Sequence, residues 1–298
     1  MTKVFMMFKC VLICLAMSFS VLAVATEQSR ILATPGAMQI EGAAGGGIVP
    51  WAVIGGYGHE GEWGVSAAVT RVNVDDFSLS NAAVLIGIDN RLELSYAHQT
   101  LRLGGEGASQ LNQLSAGAFP SLTIEQDVFG LKVRVAGDLI YGAMPQVSAG
   151  AQYKINKNPE ISTELLGAKK DTGTDFYVAA SKLYLDVFFE RNLLLNATLR
   201  RSKANQTGLL GFGGPDDDWQ WLGEYSAALL LDRHWAVGLE YREKPELLDS
   251  VEEDAWADAF VAWFPNKRVT VVAAYVDLGT IALWQQQRGW YLSLQVNH

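Results

Sequence analysis

Cysteine is nearly absent from the sequence. The 298 residues contain two cysteines, Cys10 and Cys14, and both stand before residue 15. The rest of the chain can therefore form no disulfide bond, no zinc–thiolate site and no iron–sulfur site. A cysteine nucleophile is excluded for the same reason, because no thiol remains to act as one.

Long apolar runs are also missing after the first 25 residues. Two lysines precede the apolar stretch Val11–Leu22, and the small residues of Ala23-Val24-Ala25 follow it. This order is typical of a cleaved secretory signal, so residues 1–25 are predicted to be a signal peptide. No later stretch approaches the roughly 20 apolar residues of a membrane-spanning helix. If residues 26–298 lie in a membrane, they must cross it as a single β-barrel domain, because a closed barrel satisfies every backbone group in lipid.

Basic residues are fewer than acidic residues in this sequence. The chain has 23 lysines and arginines against 32 aspartates and glutamates, which gives a net charge of −9. Removing residues 1–25 removes two lysines and no acid, and −9 − 2 gives −11. An acidic chain of this kind argues against a nucleic acid as partner. No motif indicates a cofactor or a metal, and Ser95 and His98, the nearest approach to a catalytic pair, are predicted to lie on opposite faces of one strand.

Polar and apolar residues alternate along the mature chain in segments of about ten residues. The last segment shows the pattern most clearly. Its apolar positions are Trp290, Leu292, Leu294 and Val296, and its other face contains Tyr291, Ser293, Gln295 and Asn297. The alternation recurs in Arg91–Gln99, Phe129–Asp138 and Trp235–Lys244. It predicts β-strands with one face in lipid and the other in a polar interior.

The connections between these segments alternate between short and long from residue 89 onward. Short turns are predicted at Asp89-Asn90, Leu139–Ala143, Glu190-Arg191, Asp232-Arg233 and Pro265-Asn266-Lys267. Long connections are predicted at about 100–124, 155–173, 203–217, 245–255 and 278–287. Short periplasmic turns and long outside loops are typical of outer-membrane barrels. Aromatic residues near strand ends are expected to form girdles at the membrane interfaces, namely Trp221, Tyr225, Trp235, Tyr241, Trp263, Tyr275 and Trp290.

The segment between residues 36 and 57 leaves two strand counts open. From residue 50 onward there are thirteen candidate strands, and a single-chain bacterial barrel needs an even number. Fourteen result if Gly36–Ala43 is a strand that turns through Ala44-Gly45-Gly46-Gly47 into Ile48–Tyr57, and we favour this all-β, antiparallel up-and-down barrel of 14 strands. The alternative is 12 strands with residues 26–49 inside the lumen as a plug. The glycines permit either arrangement.

Ten ionisable residues fall on the predicted inward face and form the proposed lumen lining. They are Glu93, Lys132, Arg134, Lys182, Asp186, Arg200, Glu224, Glu240, Arg242 and Asp258. Five bases with five acids favour either a general small-solute channel or a salt-bridged, largely closed lumen, since a charge-selective pore would have a ring of one sign. Matching the apolar faces around Asp232-Arg233 pairs Tyr225 with Tyr241. The same register sets Glu224 opposite Arg242, with Arg200 as a third member.

A set of motifs spans nearly the whole mature chain, beginning with Gln39-Ile40-Glu41-Gly42-Ala43-Ala44-Gly45-Gly46-Gly47. The others are Val49-Pro50-Trp51-Ala52, Phe129-Gly130-Leu131-Lys132, Ser202-Lys203-Ala204-Asn205-Gln206, Gly208-Leu209-Leu210-Gly211-Phe212-Gly213-Gly214, Glu240-Tyr241-Arg242 with Lys244-Pro245, and Ala274-Tyr275-Val276-Asp277-Leu278-Gly279. With these motifs the chain resembles an uncharacterised family of Gram-negative outer-membrane β-barrel proteins that carries a domain-of-unknown-function label. The resemblance implies a barrel in the outer membrane, in contact with lipid and lipopolysaccharide and inserted by the barrel assembly machinery. It implies no activity, and this chain ends in His298 where such barrels usually end in Phe or Trp.

These patterns together predict a small outer-membrane channel with porin-like passage of a small polar or amphipathic solute, which the sequence does not identify. One alternative is a structural or surface-interaction barrel with a plugged lumen. The other is an outer-membrane lipid hydrolase, which the opposite faces of Ser95 and His98 disfavour.

Overall fold

The computed structural model describes residues 30–114, 122–215, 218–248 and 253–298. The predicted signal peptide, residues 1–25, lies outside the described residues and stays a prediction. Two small strands, twelve long strands, one α-helix and two short helical turns make up the secondary structure of the described part. In that part, every helix is too short or too polar to cross a membrane.

Twelve strands of the described chain form a closed antiparallel barrel. They are β3 (Trp63–Val74), β4 (Phe77–Ile88), β5 (Leu92–Leu103), β6 (Thr123–Ala136), β7 (Gln146–Asn156), β8 (Thr172–Phe188), β9 (Arg191–Ser202), β10 (Gln220–Leu230), β11 (Trp235–Arg242), β12 (Trp256–Asn266), β13 (Val269–Asp277) and β14 (Arg288–Asn297). Each strand pairs with its neighbours in sequence, and β14 pairs with β3 to close the barrel. Closure leaves no unpaired edge, which is the condition for a sheet to lie in lipid.

The first two strands are separate from the barrel. β1 (Ala37–Met38) and β2 (Ala44–Gly45) form a small antiparallel hairpin. The prediction of 14 barrel strands is therefore wrong, and the alternative of 12 is confirmed. Residues 48–57 form no strand, because they are apolar without alternation and Pro50 has no N–H for a ladder hydrogen bond. Residues 34–58 are buried without interruption inside the barrel, and we call residues 30–58 the plug.

The strands alternate between an exposed apolar face and a buried face. In β14 the four residues predicted to face outward are exposed, and the four on the other face are buried. All seven aromatic residues predicted for the girdles are exposed as well. Six of the seven meet in three pairs across strands, with ring centroids 6.4 Å apart for Tyr225 and Tyr241, 5.7 Å apart for Trp235 and Trp263, and 5.3 Å apart for Tyr275 and Trp290. The outside of the barrel is therefore a hydrocarbon surface with aromatic rings near the strand ends.

The register of the β10–β11 hairpin agrees with the prediction. Glu224 pairs with Arg242, and Tyr225 pairs with Tyr241. A slip by one residue would turn both tyrosines inward and both charges outward. The apolar pattern of the two strands was therefore sufficient to determine the pairing.

The two ends of the barrel differ in their connections. The turn end has the five connections 89–91, 137–145, 189–190, 231–234 and 267–268. The loop end has the two-residue connection 75–76 and the long connections, which carry α1 (Gly105–Leu114), a π-helical turn at Glu160–Leu165 and a 3-10 turn at Asn205–Gly208. Residues 204–214 are buried, so the β9–β10 loop folds across the loop end of the lumen.

Candidate functional site in the barrel interior

The plug fills the interior of the barrel and is anchored to it by ionisable side chains of the wall. The plug leads directly into β3, so it joins the barrel at the turn end. The tip of its hairpin, residues 39–43, reaches wall residues near the loop end, where Gln99 Nε2 donates to the carbonyl of Ile40 at 2.7 Å. In the described structure, the ionisable wall residues that hold the plug form three groups, and neutral wall side chains such as Ser181 and Thr198 add hydrogen bonds to its backbone.

The first group surrounds Glu41 at the tip of the plug. The Glu41 carboxylate contacts Lys154 Nζ and lies 2.8 Å from Arg242 Nη2 and 3.8 Å from Arg200 Nη2. All four side chains are at most 2% exposed. Burial alone would disfavour the charged form of Glu41, but three cations within 4 Å of its carboxyl group favour that form. Glu41 is therefore held as a carboxylate.

Two carboxylates of the wall complete this group. Asp175 Oδ2 lies 2.7 Å from Lys154 Nζ and 3.3 Å from Arg200 Nη1. Glu224 Oε1 accepts a hydrogen bond from Arg200 Nε and lies 3.4 Å from Arg242 Nε. The plug and five consecutive strands thus contribute one residue each to a single buried network. We call it the tip cluster, and its members are Glu41, Lys154, Asp175, Arg200, Glu224 and Arg242.

The second group is the ion pair between Glu93 on β5 and Lys132 on β6, with Nζ and Oε1 3.0 Å apart. Both residues also bind the backbone of the plug. Glu93 accepts from the N–H of Ala44 at 3.0 Å and of Gly55 at 2.7 Å. Lys132 Nζ donates to the carbonyls of Ala44 and Val53 at 3.0 and 2.9 Å. The pair therefore clamps the two sides of the plug together, and Lys132 does not face open water.

The third group is a pair of carboxylates from neighbouring strands. Glu240 accepts hydrogen bonds from the N–H groups of Gly47 and Ile48, the latter at 2.8 Å, and from Ser226 Oγ at 2.7 Å. The approach is so close that a Cβ at Gly46 would overlap the Glu240 carboxylate, which would then have to move away from the plug. Asp258 pairs directly opposite Glu240, and both of its carboxyl oxygens are buried with no hydrogen-bond partner among the residues that the structure describes.

A cap of three loops covers the tip cluster at the loop end. Lys244 Nζ lies 3.0 Å from Glu253 Oε2, donates to Gln206 Oε1 at 3.0 Å and donates to the carbonyl of Thr280 at 3.3 Å. These residues come from the β9–β10, β11–β12 and β13–β14 connections. Burial lowers the pKa of Lys244 and raises the pKa of Glu253, and each group opposes the shift of the other. A buried ion pair within the β11–β12 connection therefore positions Lys244, and the hydrogen bonds of Lys244 to Gln206 and Thr280 join this connection to the other two loops.

The wall is apolar where β8–β13 approach the turn end. A cavity of about 30 Å³ separates the plug from this wall. Besides plug residues, it is lined by Leu183, Leu194, Ala228, Leu230, Ala236, Phe260, Ala262, Phe264 and Val272. Here the plug is held by hydrophobic contact and not by ion pairs.

Seven of the ten residues predicted to line the lumen are buried in the interior. They are Glu93, Lys132, Arg200, Glu224, Glu240, Arg242 and Asp258. Arg134 is partly buried at the turn-end mouth, where it donates to the carbonyl of Gly137 and lies 3.0 Å from Asp138 Oδ2. That the buried residues line a conducting lumen stays a prediction.

The predictions for Lys182 and Asp186 are wrong, because the predicted face of β8 is reversed. Lys182 pairs with the outward Leu195, and its Nζ donates to backbone carbonyls of the β6–β7 turn, including that of Gly142 at 2.8 Å. Asp186 is exposed in the irregular end of the strand. The residue that faces inward here is Leu183, since the wall is apolar at this end. A rule that turns polar residues inward therefore fails locally.

Sequence reasoning missed three members of the tip cluster. Lys154 and Asp175 lie in strands whose alternation could have revealed them, because Lys154 shares a face with Gln152 and Asn156. Glu41 gave a weaker signal, a lone carboxylate in a glycine-rich segment that was assigned to a strand. Ser95 and His98 fall on opposite faces by strand alternation, and His98 Nδ1 lies 2.8 Å from Asp127 Oδ1. In the described part of the chain, no group of three or more His, Cys, Asp or Glu residues is placed to hold a metal ion.

The family comparison covers the plug and the barrel together. The profile described as "Protein of unknown function (DUF3034)" matches residues 34–295. The chain belongs to the DUF3034 family. The match begins inside the plug and ends in β14, so this DUF3034 protein carries its plug within the family domain. No curated protein matches the chain.

Several solved barrels are similar to this DUF3034 protein at low sequence identity. The KdgM porin matches with a TM-score of 0.48 and 7% identity over 78% of this chain and 98% of that chain. The outer membrane protein Omp33 of Acinetobacter baumannii matches with a TM-score of 0.46 and 9% identity over 79% and 98%. The COG4313 outer membrane channel of Pseudomonas putida F1 matches with a TM-score of 0.41 and 11% identity over 84% and 96%.

Proposed function

We propose that this DUF3034 protein is an outer-membrane channel that its own plug closes, with porin-like passage of a small polar or amphipathic solute when the plug moves. The observation that carries the proposal is the tip cluster. Five wall residues of this cluster surround a single carboxylate that belongs to the plug. A wall of this polarity is what an aqueous lumen requires, and the plug occupies the place of the water.

The outside of the barrel supports a membrane location. Its exposed residues form an apolar surface, and aromatic rings lie near both strand ends, with Trp235 and Trp263 toward the turn end and Trp221 and Trp290 toward the loop end. Bilayer-spanning barrels have this arrangement. Outer-membrane lipid, lipopolysaccharide and the barrel assembly machinery are the partners that the proposal implies, with the turn end in the periplasm.

The size of the barrel supports a narrow lumen. Barrels of about eight strands are filled by their own side chains, while 16–18 strands leave an aqueous channel. Twelve strands lie between these limits, and here the interior has room for a buried segment of 25 residues, 34–58. Displacing this segment would leave a lumen lined by Glu93, Lys132, Glu240 and the tip cluster.

The second candidate is a structural barrel whose plug never leaves. It is favoured by the hydrogen bonds that Glu93, Lys132 and Glu240 make to the plug backbone, since these bonds contribute equally to a permanent core. The two candidates differ in one measurable property, which is conductance.

The test is planar-bilayer recording of the full chain carrying Glu41→Gln. This change removes the charge by which the plug binds Arg242, Lys154 and Arg200, so the open probability should rise clearly above that of the unsubstituted protein. Glu224→Gln is the matched control, because it removes one carboxylate from the same cluster but leaves the plug contact in place. Its open probability should stay at the unsubstituted level or fall.

The recordings also separate the two candidates. If folded Glu41→Gln protein conducts no more than the unsubstituted protein, the gated channel is wrong and the structural barrel stands. If Glu224→Gln raises the open probability as much as Glu41→Gln does, the contact between Glu41 and the three cations is not what keeps the channel closed. Heat-modifiable migration on gels confirms that each variant is a folded barrel.

A further inference from the structure

We propose that Lys154, Arg200 and Arg242 form a binding site for the carboxylate of an organic monoanion, and that Glu41 occupies this site in the closed state as an internal ligand. The inference rests on the proposed function and adds a chemical class of solute to it.

The charge balance of the cluster leaves one positive charge for a ligand. The wall contributes three cations, Lys154, Arg200 and Arg242, and two carboxylates, Asp175 and Glu224, so that 3 − 2 = 1. Glu41 brings the total to zero. Each of these six side chains is at most 2% exposed, and a buried network with an uncompensated charge is costly. When the plug moves, one monoanion restores the balance, whereas a dianion would exceed it.

The donors are oriented before any ligand arrives. Arg200 is fixed by Glu224, by Gln152 Oε1 at 2.7 Å from its Nη1, and by the Tyr177 ring, whose centroid lies 5.2 Å from its guanidinium carbon. Lys154 is fixed by Asp175. These contacts belong to the wall and do not depend on the plug. A planar carboxylate suits such a site because guanidinium groups bind it through directed, charge-assisted hydrogen bonds.

Arg242 is the residue that a solute would bind most directly. Its Nε faces Glu224, but its Nη1 donates to the plug carbonyl of Ile48 at 3.0 Å and its Nη2 lies 2.8 Å from Glu41. Both Nη contacts are therefore contacts with the plug. Displacement of the plug would free two donors of one guanidinium toward the lumen, which is the fork that carboxylates occupy.

The other two groups hold the plug in a different way. Glu93 and Glu240 accept hydrogen bonds from backbone N–H groups of the plug. A solute carboxylate could not take that place, because it would meet a carboxylate of the wall. The tip cluster is the group in which the plug supplies a side-chain anion, so it is the position at which solute and plug compete.

The test is chemical rescue of the full chain carrying Glu41→Ala in detergent. Sodium acetate should raise the thermal midpoint of this variant by several degrees in a saturable way, because a ligand that binds the folded state stabilises it. Sodium chloride at equal ionic strength should not do so. Gln39→Ala is the matched control, since it empties a similar volume beside Glu41 without removing a charge, and acetate should leave its midpoint unchanged.

The rescue remains decisive if Glu41→Ala does not fold alone. In that case the folding yield takes the place of the midpoint, and it should depend on acetate and not on chloride. The inference is overturned if acetate changes neither quantity, even when Glu41→Gln opens the channel. If acetate rescues Glu41→Ala but Glu41→Gln conducts no more than the unsubstituted protein, the proposed channel function is wrong and the carboxylate site is retained.

Discussion

The inward faces of β8–β12 differ between the two ends of the barrel. On β9, Arg200 belongs to the charged tip cluster near the loop end, while Leu194 lines the apolar cavity near the turn end. On β10, Glu224 and Ala228 show the same change over four residues. The strands β8–β11 therefore hold the plug tip by charge and the plug base by hydrophobic contact.

This difference separates two ways of holding a segment in place. Hydrophobic contact is non-directional and tolerates small shifts, because it depends on the area removed from water. A buried ion network depends on geometry, and losing one partner leaves an uncompensated charge. We therefore expect the tip to be released all at once, whereas the base can slide and remain in contact with the wall.

The largest effect should come from breaking the charged end. Arg200→Met leaves three carboxylates of the tip cluster facing two cations, so the free energy of unfolding should fall by about 3–5 kcal/mol, measured by urea titration in detergent. Arg201→Met is the control from the next position of the strand. Its guanidinium lies outside, over the rings of Trp219 and Trp221, and its loss should cost about 0.5–1 kcal/mol. Equal costs for the two variants would contradict the inward charged network.

The apolar end should respond to the loss of packing. Leu194→Ala enlarges the cavity beside the plug, and the free energy of unfolding should fall by about 2–5 kcal/mol. Leu195→Ala is the control, because this side chain is exposed on the outer face and its loss leaves no internal cavity. In planar bilayers Leu194→Ala should open the barrel less than Glu41→Gln does. If Leu194→Ala instead opened the barrel more than Glu41→Gln, the contacts that keep the channel closed would lie at the apolar end.

The smallest effect should be a gain in stability at the carboxylate pair. Asp258→Asn replaces a buried carboxyl group that has no hydrogen-bond partner among the described residues by an amide that can donate to Glu240, so the free energy of unfolding should rise by about 1–3 kcal/mol. Asp277→Asn, whose carboxylate forms an exposed ion pair with Arg288, serves as the control and should change little. A destabilised Asp258→Asn variant would show that the carboxylate has a partner that matters for folding.

The strands and their pairing could be predicted because lipid and a polar interior impose period-two alternation on each strand. The β10–β11 register followed from matching the apolar faces. The same rule failed at Lys182 because the interior beside it is apolar, so both faces of β8 are hydrophobic there. Residues 48–57 were misassigned for a related reason. A segment that is buried on all sides shows an apolar run, which by itself does not distinguish a strand from a plug.

The candidate site could be predicted only in part. Glu224, Arg242 and Arg200 were placed together because adjacent strands bring them together. Glu41 was not, since its partner Lys154 lies 113 residues away and its contact depends on the path of an irregular segment. Such a path is determined by hydrogen bonds to Glu93 and Glu240 and not by any repeat in the sequence.

The seam of the barrel has a consequence for the order of assembly. The seam joins β14 to β3, and the plug precedes β3 in the chain. Any route that adds strands in chain order has the plug available before the seam exists. The barrel strands can then assemble around the plug, and the plug does not have to be inserted into a barrel that is already closed. Glu93 and Lys132 belong to early strands, while Glu240 and Asp258 belong to late ones. The plug would therefore bind the early strands first and be enclosed when the final third of the chain is added.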